Sequence, residues 1–277
     1  MTSPLLARRR RWPWGGTTAV GMLLALAVLG PILAPFDPLA TGDPLADALV
    51  SPGSRFLLGS DDLGRDLLSR LLHGVRLSLG IGLAAAALSV GVGAIVGALA
   101  GFRGRWTDAI LMRGVDFLLA FPRLVLLLGA VAFLDRSLPL IVAILGLTGW
   151  MGTARLVRAQ VMSLRHREFV DAGRALGLGD ARLLLRHVLP NCAGVLLVSA
   201  TLSVGSSMLL EASLSFLGLG VPAPTPSIGS MLAEGRSFLA SAPWISTFPG
   251  LMIALAVMAF HGLGEGLRRS FDPGSSR

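Results

Sequence analysis

At 277 residues the chain is long enough for one or two soluble domains, but 53% of its residues are hydrophobic and 14% charged, whereas a soluble globular protein carries about 25% charged residues. That balance excludes a water-soluble globule and points to a bilayer. The net charge of +8 comes from arginine alone, because the sequence contains no lysine; most of the arginines fall in the two tails and in two loops on one side of the predicted spans, which is the positive-inside distribution rather than the basic face of a nucleic-acid binder.

Long unbroken apolar runs of about 20 residues, each able to cross a hydrocarbon core of about 30 Å, predict transmembrane helices; a barrel would show alternating segments of about 10 residues. The predicted fold class is therefore all-α and polytopic. A single cysteine, Cys192, excludes an intrachain disulfide and a cysteine zinc cluster. A Walker loop needs a lysine, so the chain is expected to hydrolyse no ATP itself, and neither GxSxG nor HExxH occurs. No catalytic residue, metal or cofactor is expected.

The first span is predicted over 17–36, behind an arginine-rich stretch at 8–11 with Trp12 and Trp14 as interfacial anchors. Its length argues for a retained span and against a cleaved signal peptide, whose apolar core has about 7 to 15 residues. Residues 37–76 are polar and are expected on the outer face. They contain a charge cluster, Asp61, Asp62, Arg65, Asp66 and Arg70, in which Asp61 or Asp62 is positioned to cap a Leu-rich helix. The second span, 77–101, carries Gly93, Gly97 and Gly101 on one face, a stripe that allows close helix packing.

A third span is expected over 115–134 and a fourth over 138–157, joined by a short outer hairpin, with Arg123 reaching lipid phosphates from behind Phe121-Pro122. The basic segment 158–190 follows on the inner side. Its spacing predicts an amphipathic helix over 158–176, a break at Gly177 and Gly179, and a second short helix capped by Asp180 and running to Pro190. The fifth span, 189–210, ends beside Glu211, which either lines a pathway or pairs helices. A Gly/Pro-rich outer segment leads to the last span, 248–263, where His261 is a second pathway candidate and is expected to pair with Glu265 one turn on.

The stretch DAGRALGLGDARLLLRHVLPN, Asp171 to Asn191, resembles the EAA loop of bacterial ABC-importer permeases. Asp171, Ala172 and Gly173 stand for the Glu-Ala-Ala triplet, and Gly177 and Leu189-Pro190 keep the family's spacing; Asp for Glu and Gly for Ala are departures that weaken the helix slightly. Segments 58–79, 211–232 and 249–273 extend the resemblance and narrow it to the dipeptide, oligopeptide and nickel branch, with His261 where asparagine is usual.

The resemblance implies a type I ABC-importer permease fold in the bacterial inner membrane. It divides the chain into 1–76, holding a cytoplasmic tail, the first helix and an outer segment, and 77–277, a five-helix core with a coupling loop at 158–190. It implies a sister permease, one or two separate ATPase subunits and a substrate-binding protein as partners, with membrane lipid around them. Asp171, Ala172, Gly173, Arg174, Leu176, Gly177, Leu189 and Pro190 would form the coupling element, with Ala172, Gly173 and Ala175 as a small-residue docking face. Asp61, Asp62, Arg65 and Asp66 would meet the binding protein or sister permease, or else pair among themselves. The cargo reading is a peptide, with nickel import as the alternative. A secondary transporter is the rival by class, but it would need no coupling loop and would show acidic residues at mid-membrane.

Overall fold

A chain crossing lipid must satisfy its backbone N–H and C=O groups internally, so the apolar runs can only form helices or a closed barrel. The computed structural model describes residues 14–134 and 137–271. The arginine-rich stretch, Trp12, the hairpin residues Asp135 and Arg136, and the tail from 272 lie outside them. Among the described residues all regular structure is helical, apart from an isolated antiparallel bridge between Ser60 and Asp66.

In chain order the helices are α1 (Trp14–Leu33), α2 (Leu67–Arg103), α3 (Arg105–Leu119), α4 (Arg123–Ala132), α5 (Leu138–Leu147), α6 (Trp150–Leu164), α7 (Glu168–Ala175), α8 (Asp180–Leu183), α9 (Ala193–Phe216), α10 (Ile228–Gly235) and α11 (Trp244–Phe271). Five helical stretches are long and apolar enough to cross a membrane, or six when the bent pair α3 and α4 counts as one span.

Three boundaries differ from expectation. The second span starts at Leu67, not Leu77, because Asp66 and neither Asp61 nor Asp62 caps it, accepting from the Ser69 amide at 2.8 Å; a division at 76/77 would fall inside α2. The third span is not straight: α3 and α4 meet at 81° across Ala120–Pro122, as a proline there disfavours helical geometry in the residue before it. The fifth apolar stretch begins at Asp180, because α8, a π turn at Leu184–Val188 and a 3-10 turn at Leu189–Cys192 run on into α9.

Helix α2 is the central column, packing along α1, α5, α6 and α9. At 37 residues it is about 55 Å long, well beyond the hydrocarbon core, so both its ends reach polar layers. At one end, here the cap end, Leu67 and Leu71 pack with Met231, Ala242 and Ile245 from the 217–245 region. At the other, the loop end, Ala98 and Phe102 pack with Val157, Val161, Val170, Leu183 and Val188.

The glycine stripe seats α2 on α6. A side chain at Gly97 would fall 2.9 Å from Val157 Cβ and overlap Ala154 O, and one at Gly93 would fall 2.7 Å from Thr153 Cβ. Replacing Gly97 with valine should therefore force the helices apart and lower stability by about 1–3 kcal/mol. Gly91→Ala, where nothing lies within 4 Å, should be neutral or slightly stabilising; thermal unfolding of the purified protein in detergent compares the two.

Candidate functional site

The segment that resembles a coupling loop folds as a compact projection at the loop end. The predicted single helix over 158–176 is broken: α6 runs on to Leu164, Arg165–Arg167 turn the chain, and α7 restarts at Glu168. Helix α7 ends in a Schellman motif. Leu178 N donates to Gly173 O at 3.0 Å and Gly177 N to Arg174 O at 2.9 Å, with Gly177 at φ +78° as a left-handed C′ residue requires. Asp180 makes no capping bond; Gly179 occupies the N-cap position of α8.

The two faces of α7 differ in character. Val170 is buried and Gly173 lies against Leu183, where a Cβ would sit 2.5 Å from Cδ2. Gly173 is therefore an internal packing position and not part of an outward docking face. The outward face carries Phe169, Ala172, Ala175 and Leu176, with Leu176 82% exposed, bordered by exposed Arg167, Glu168, Asp171 and Arg174. Asp171 and Arg174 pair loosely at 3.4 Å. Leu189 and Pro190 lie in the 3-10 turn that leads into α9. The projection is tied to α2, since Arg165 Nη1 donates to Gly101 O at 3.1 Å and the Arg174 guanidinium lies 5.8 Å from the Phe102 ring centroid. On α6, Arg158 donates from Nε and Nη2, one edge of its guanidinium, to the two carboxylate oxygens of Asp108 on α3.

At the cap end most of the acidic cluster faces inward. Asp61 accepts from the Leu63 and Arg65 amides at 3.0 and 2.9 Å, from Arg65 Nε at 2.7 Å, and from Arg70 Nη1. Arg65 and Arg70 then reach Glu234 on α10 at 3.2 and 2.8 Å. Asp61 and Asp66 are buried, and Asp62 alone of the four contact candidates is exposed. Burial removes Asp61 and Asp66 from any contact surface: the cluster pairs with itself and with Glu234. Sequence inspection missed Glu234, which lies 164 positions from Arg70 and carries no local signal of that pairing.

Glu211 is enclosed between α2, α9 and α10. Ser78, Ser215 and Ser227 donate their hydroxyls to its carboxylate at 3.1, 2.8 and 2.9 Å. Ser78 also accepts the Ile228 amide, and Ser227 and Ser230 close a capping box on α10. Of its two expected roles, the geometry is that of a helix-pairing partner; Glu211 faces no opening in this structure.

His261 and Glu265 do not pair. His261 Nδ1 is 2.9 Å from Val257 O of its own helix, and Glu265 pairs instead with Arg269 at 3.0 Å and Arg268 at 3.9 Å. Both residues line a cavity of about 670 Å³ between α6, α9 and α11, with Ser199, Leu202 and Phe271. Arg123 does not extend toward lipid phosphates either: its Nη2 donates to Leu145 O at 2.9 Å and its Nε to Thr148 Oγ1 at 3.4 Å, because carbonyls at the end of α5 lack helical partners. No group of three or more metal-ligating residues occurs among the described residues.

The cap-end network makes a stability prediction. Asp61→Ala would leave Arg70, itself 2% exposed, with one fewer partner and orphan two amides, and should cost about 3–5 kcal/mol. Asp62→Ala should stay within about 0.5 kcal/mol. Unfolding by heat in a fixed detergent resolves the difference.

Residues 93–277 match the family described as binding-protein-dependent transport system inner membrane component. Three curated relatives extend the likeness over most of the chain. The di/tripeptide transport system permease protein DppC of Pseudomonas aeruginosa is 43% identical over 94% of this chain and 87% of its own length. The dipeptide transport system permease protein DppC of Alkalihalophilus pseudofirmus is 39% identical over 92% and 84%, and the oligopeptide transport system permease protein OppC of Bacillus subtilis is 39% identical over 93% and 84%. Among solved structures, a chain of the MetNI methionine ABC transporter, captured in inward-facing conformations, superposes with a TM-score of 0.58 at 16% identity over 73% of this chain and 96% of that one, a likeness of fold alone. Bent third span, α-helical bundle and projecting loop thus belong to a type I ABC-importer permease, and the chain is a member of the binding-protein-dependent transport family of inner-membrane components.

Proposed function

We propose that this permease passes di-, tri- or oligopeptides across the inner membrane as half of a heterodimer with a sister permease, driven by separate ATPase subunits that dock on α7. The observation that carries the coupling role is the outward face of α7: Phe169, Ala172, Ala175 and Leu176 are presented to solvent at a projection bonded to α2. An exposed apolar strip rimmed by charge marks a docking surface. Asp171 and Arg174 would set register there, Gly177 would hold the turn, and Leu189-Pro190 would link the projection to α9. Cargo rests on the relatives named for di-, tri- and oligopeptide transport, which favour peptides over nickel. ATP hydrolysis is assigned to other subunits because the sequence has no lysine for a Walker loop. Of the cap-end candidates, exposed Asp62 remains available for a binding protein.

With the arginine-rich loops inside, the loop end is cytoplasmic, the cap end is outside, and both termini lie in the cytoplasm. Cysteines at Ser51 and Ser163 should then label from opposite faces of sealed vesicles; labelling from one face would overturn the orientation.

Two loop substitutions test the coupling role. Gly177→Val places a β-branched residue at positive φ and should cost about 1–2 kcal/mol locally, tilting α7. Asp171→Arg should cost the fold under about 1 kcal/mol, since Asp171 is exposed, yet reverse a charge at the contact. Both variants should insert normally but lose co-purifying ATPase and substrate-stimulated hydrolysis, while Asp62→Arg at the opposite end keeps the ATPase bound. Normal ATPase association in both loop variants would refute the assignment.

A further inference from the structure

We propose that Arg123 is a carboxylate-binding site inside the membrane and that it receives the C-terminal carboxylate of the transported peptide; the identity of that ligand rests on the peptide reading above.

Depth is the first argument. Helix α4 runs 10 residues from Arg123 to Ala132, and α5 runs 10 residues from Leu138 at the same end to Leu147, beside Arg123. At 1.5 Å per residue this places Arg123 about 15 Å from the Ala132 and Leu138 ends of α4 and α5, near the middle of a core about 30 Å thick. An arginine at that depth is costly and persists where it meets a partner or a pathway.

The partners here are neutral. Among the described residues the guanidinium donates to Leu145 O and Thr148 Oγ1 only, and no carboxylate there pairs with it. Its remaining N–H donors, Nη1 foremost, keep the paired geometry that fits a carboxylate.

A second, independent feature lies beside the guanidinium. Ser89 is 2% exposed, and its Oγ has no hydrogen-bond partner. A side chain at Gly149 would fall 2.7 Å from Arg123 Nη2 and 2.8 Å from Ser89 Oγ, so the guanidinium and the free hydroxyl both press against the bare backbone of Gly149, a contact that only glycine allows. The broken span α3/α4 bends there at Ala120–Pro122, and the next span, Leu138–Leu164, loosens into a turn between α5 and α6 at Thr148–Gly149. Interrupted helices at the bilayer midplane are where transporters hold charged cargo. The neighbouring Phe121 and Pro122 are exposed, so Arg123 borders an open face of the chain. Lipid phosphates lie at the membrane surface, whereas this guanidinium is turned toward α5.

The test uses the complete transporter, with sister permease, ATPases and binding protein, in proteoliposomes of neutral or of anionic phospholipid. Dialanine uptake at saturating binding protein is measured for wild type, Arg123→Gln and Arg123→Lys. In a Cys192→Ala background, a cysteine at Phe121 reports occupancy by its rate of reaction with N-ethylmaleimide. Arg123→Gln should lower uptake about ten-fold or more in both lipids with assembly intact, and Arg123→Lys should recover part of it. Dialanine should slow labelling at position 121, alanyl-alaninamide should not, and Arg123→Gln should abolish the protection. Unchanged uptake in Arg123→Gln, or equal protection by the amide, would overturn the proposal. A loss confined to anionic vesicles would reassign Arg123 to a lipid phosphate, and a loss rescued by removing a carboxylate from the sister permease would reassign it to that subunit; either overturns the proposal. Failure of the wild type to take up dialanine would refute the peptide reading instead, while Arg123-dependent protection by acetate would leave the carboxylate site standing.

Discussion

Lipid tails are as apolar as leucine, so helices in a bilayer gain little by hiding leucine from lipid and are held by close packing and hydrogen bonds. In this chain α2 supplies the closeness. Gly93, Gly97 and Gly101 bring its backbone onto α6, and Gly82 lets Met208 of α9 approach on another face. Because α2 extends past the bilayer at both ends, the same column organises the cap through Leu67 and Leu71 and the loop projection through Phe102. A wider α2 would separate the elements that every other contact presupposes.

Around that column the buried polar groups divide by what partners them. Asp61 and Arg70 are matched by opposite charge through Arg65 and Glu234. Glu211 is matched by three hydroxyls, which join α2, α9 and α10 without a cation. These networks fasten the cap to the bundle, and breaking a buried pair costs far more than its net contribution to stability. Among the described residues Arg123 is matched only by a carbonyl and a hydroxyl, which sets it apart from the fastening groups.

The loop end shows the opposite balance. Apart from Val170 and Gly173, α7 gives most of its surface to solvent, and its attachment runs through Arg165, Arg174 and the Schellman turn onto α2 and α8. In the proposed coupling role a rigid projection fixed to the central column would transmit a push directly, because packed interiors shift as units and do not deform continuously. Arg158 and Asp108 add a brace from α6 to α3, so displacement at the loop end would reach three of the helices that enclose the membrane interior.

Hydropathy and turn chemistry are local, and what depends on them was legible in the sequence: the helical bundle, the glycine seam and the left-handed turn at Gly177. The spacing from Asp171 to Pro190 and the segments at 58–79, 211–232 and 249–273 carried the family. Local signals misplaced the start of α2, because several aspartates competed to cap it and only the fold chose Asp66. They also missed the break in α6 and α7, since helical periodicity continues through Arg165–Arg167. Which face of α7 is inward, the Asp61–Arg70–Glu234 network, the cage around Glu211 and the inward turn of Arg123 were decided only by tertiary structure. Each depends on which distant segments become neighbours, and no window of sequence contains both partners.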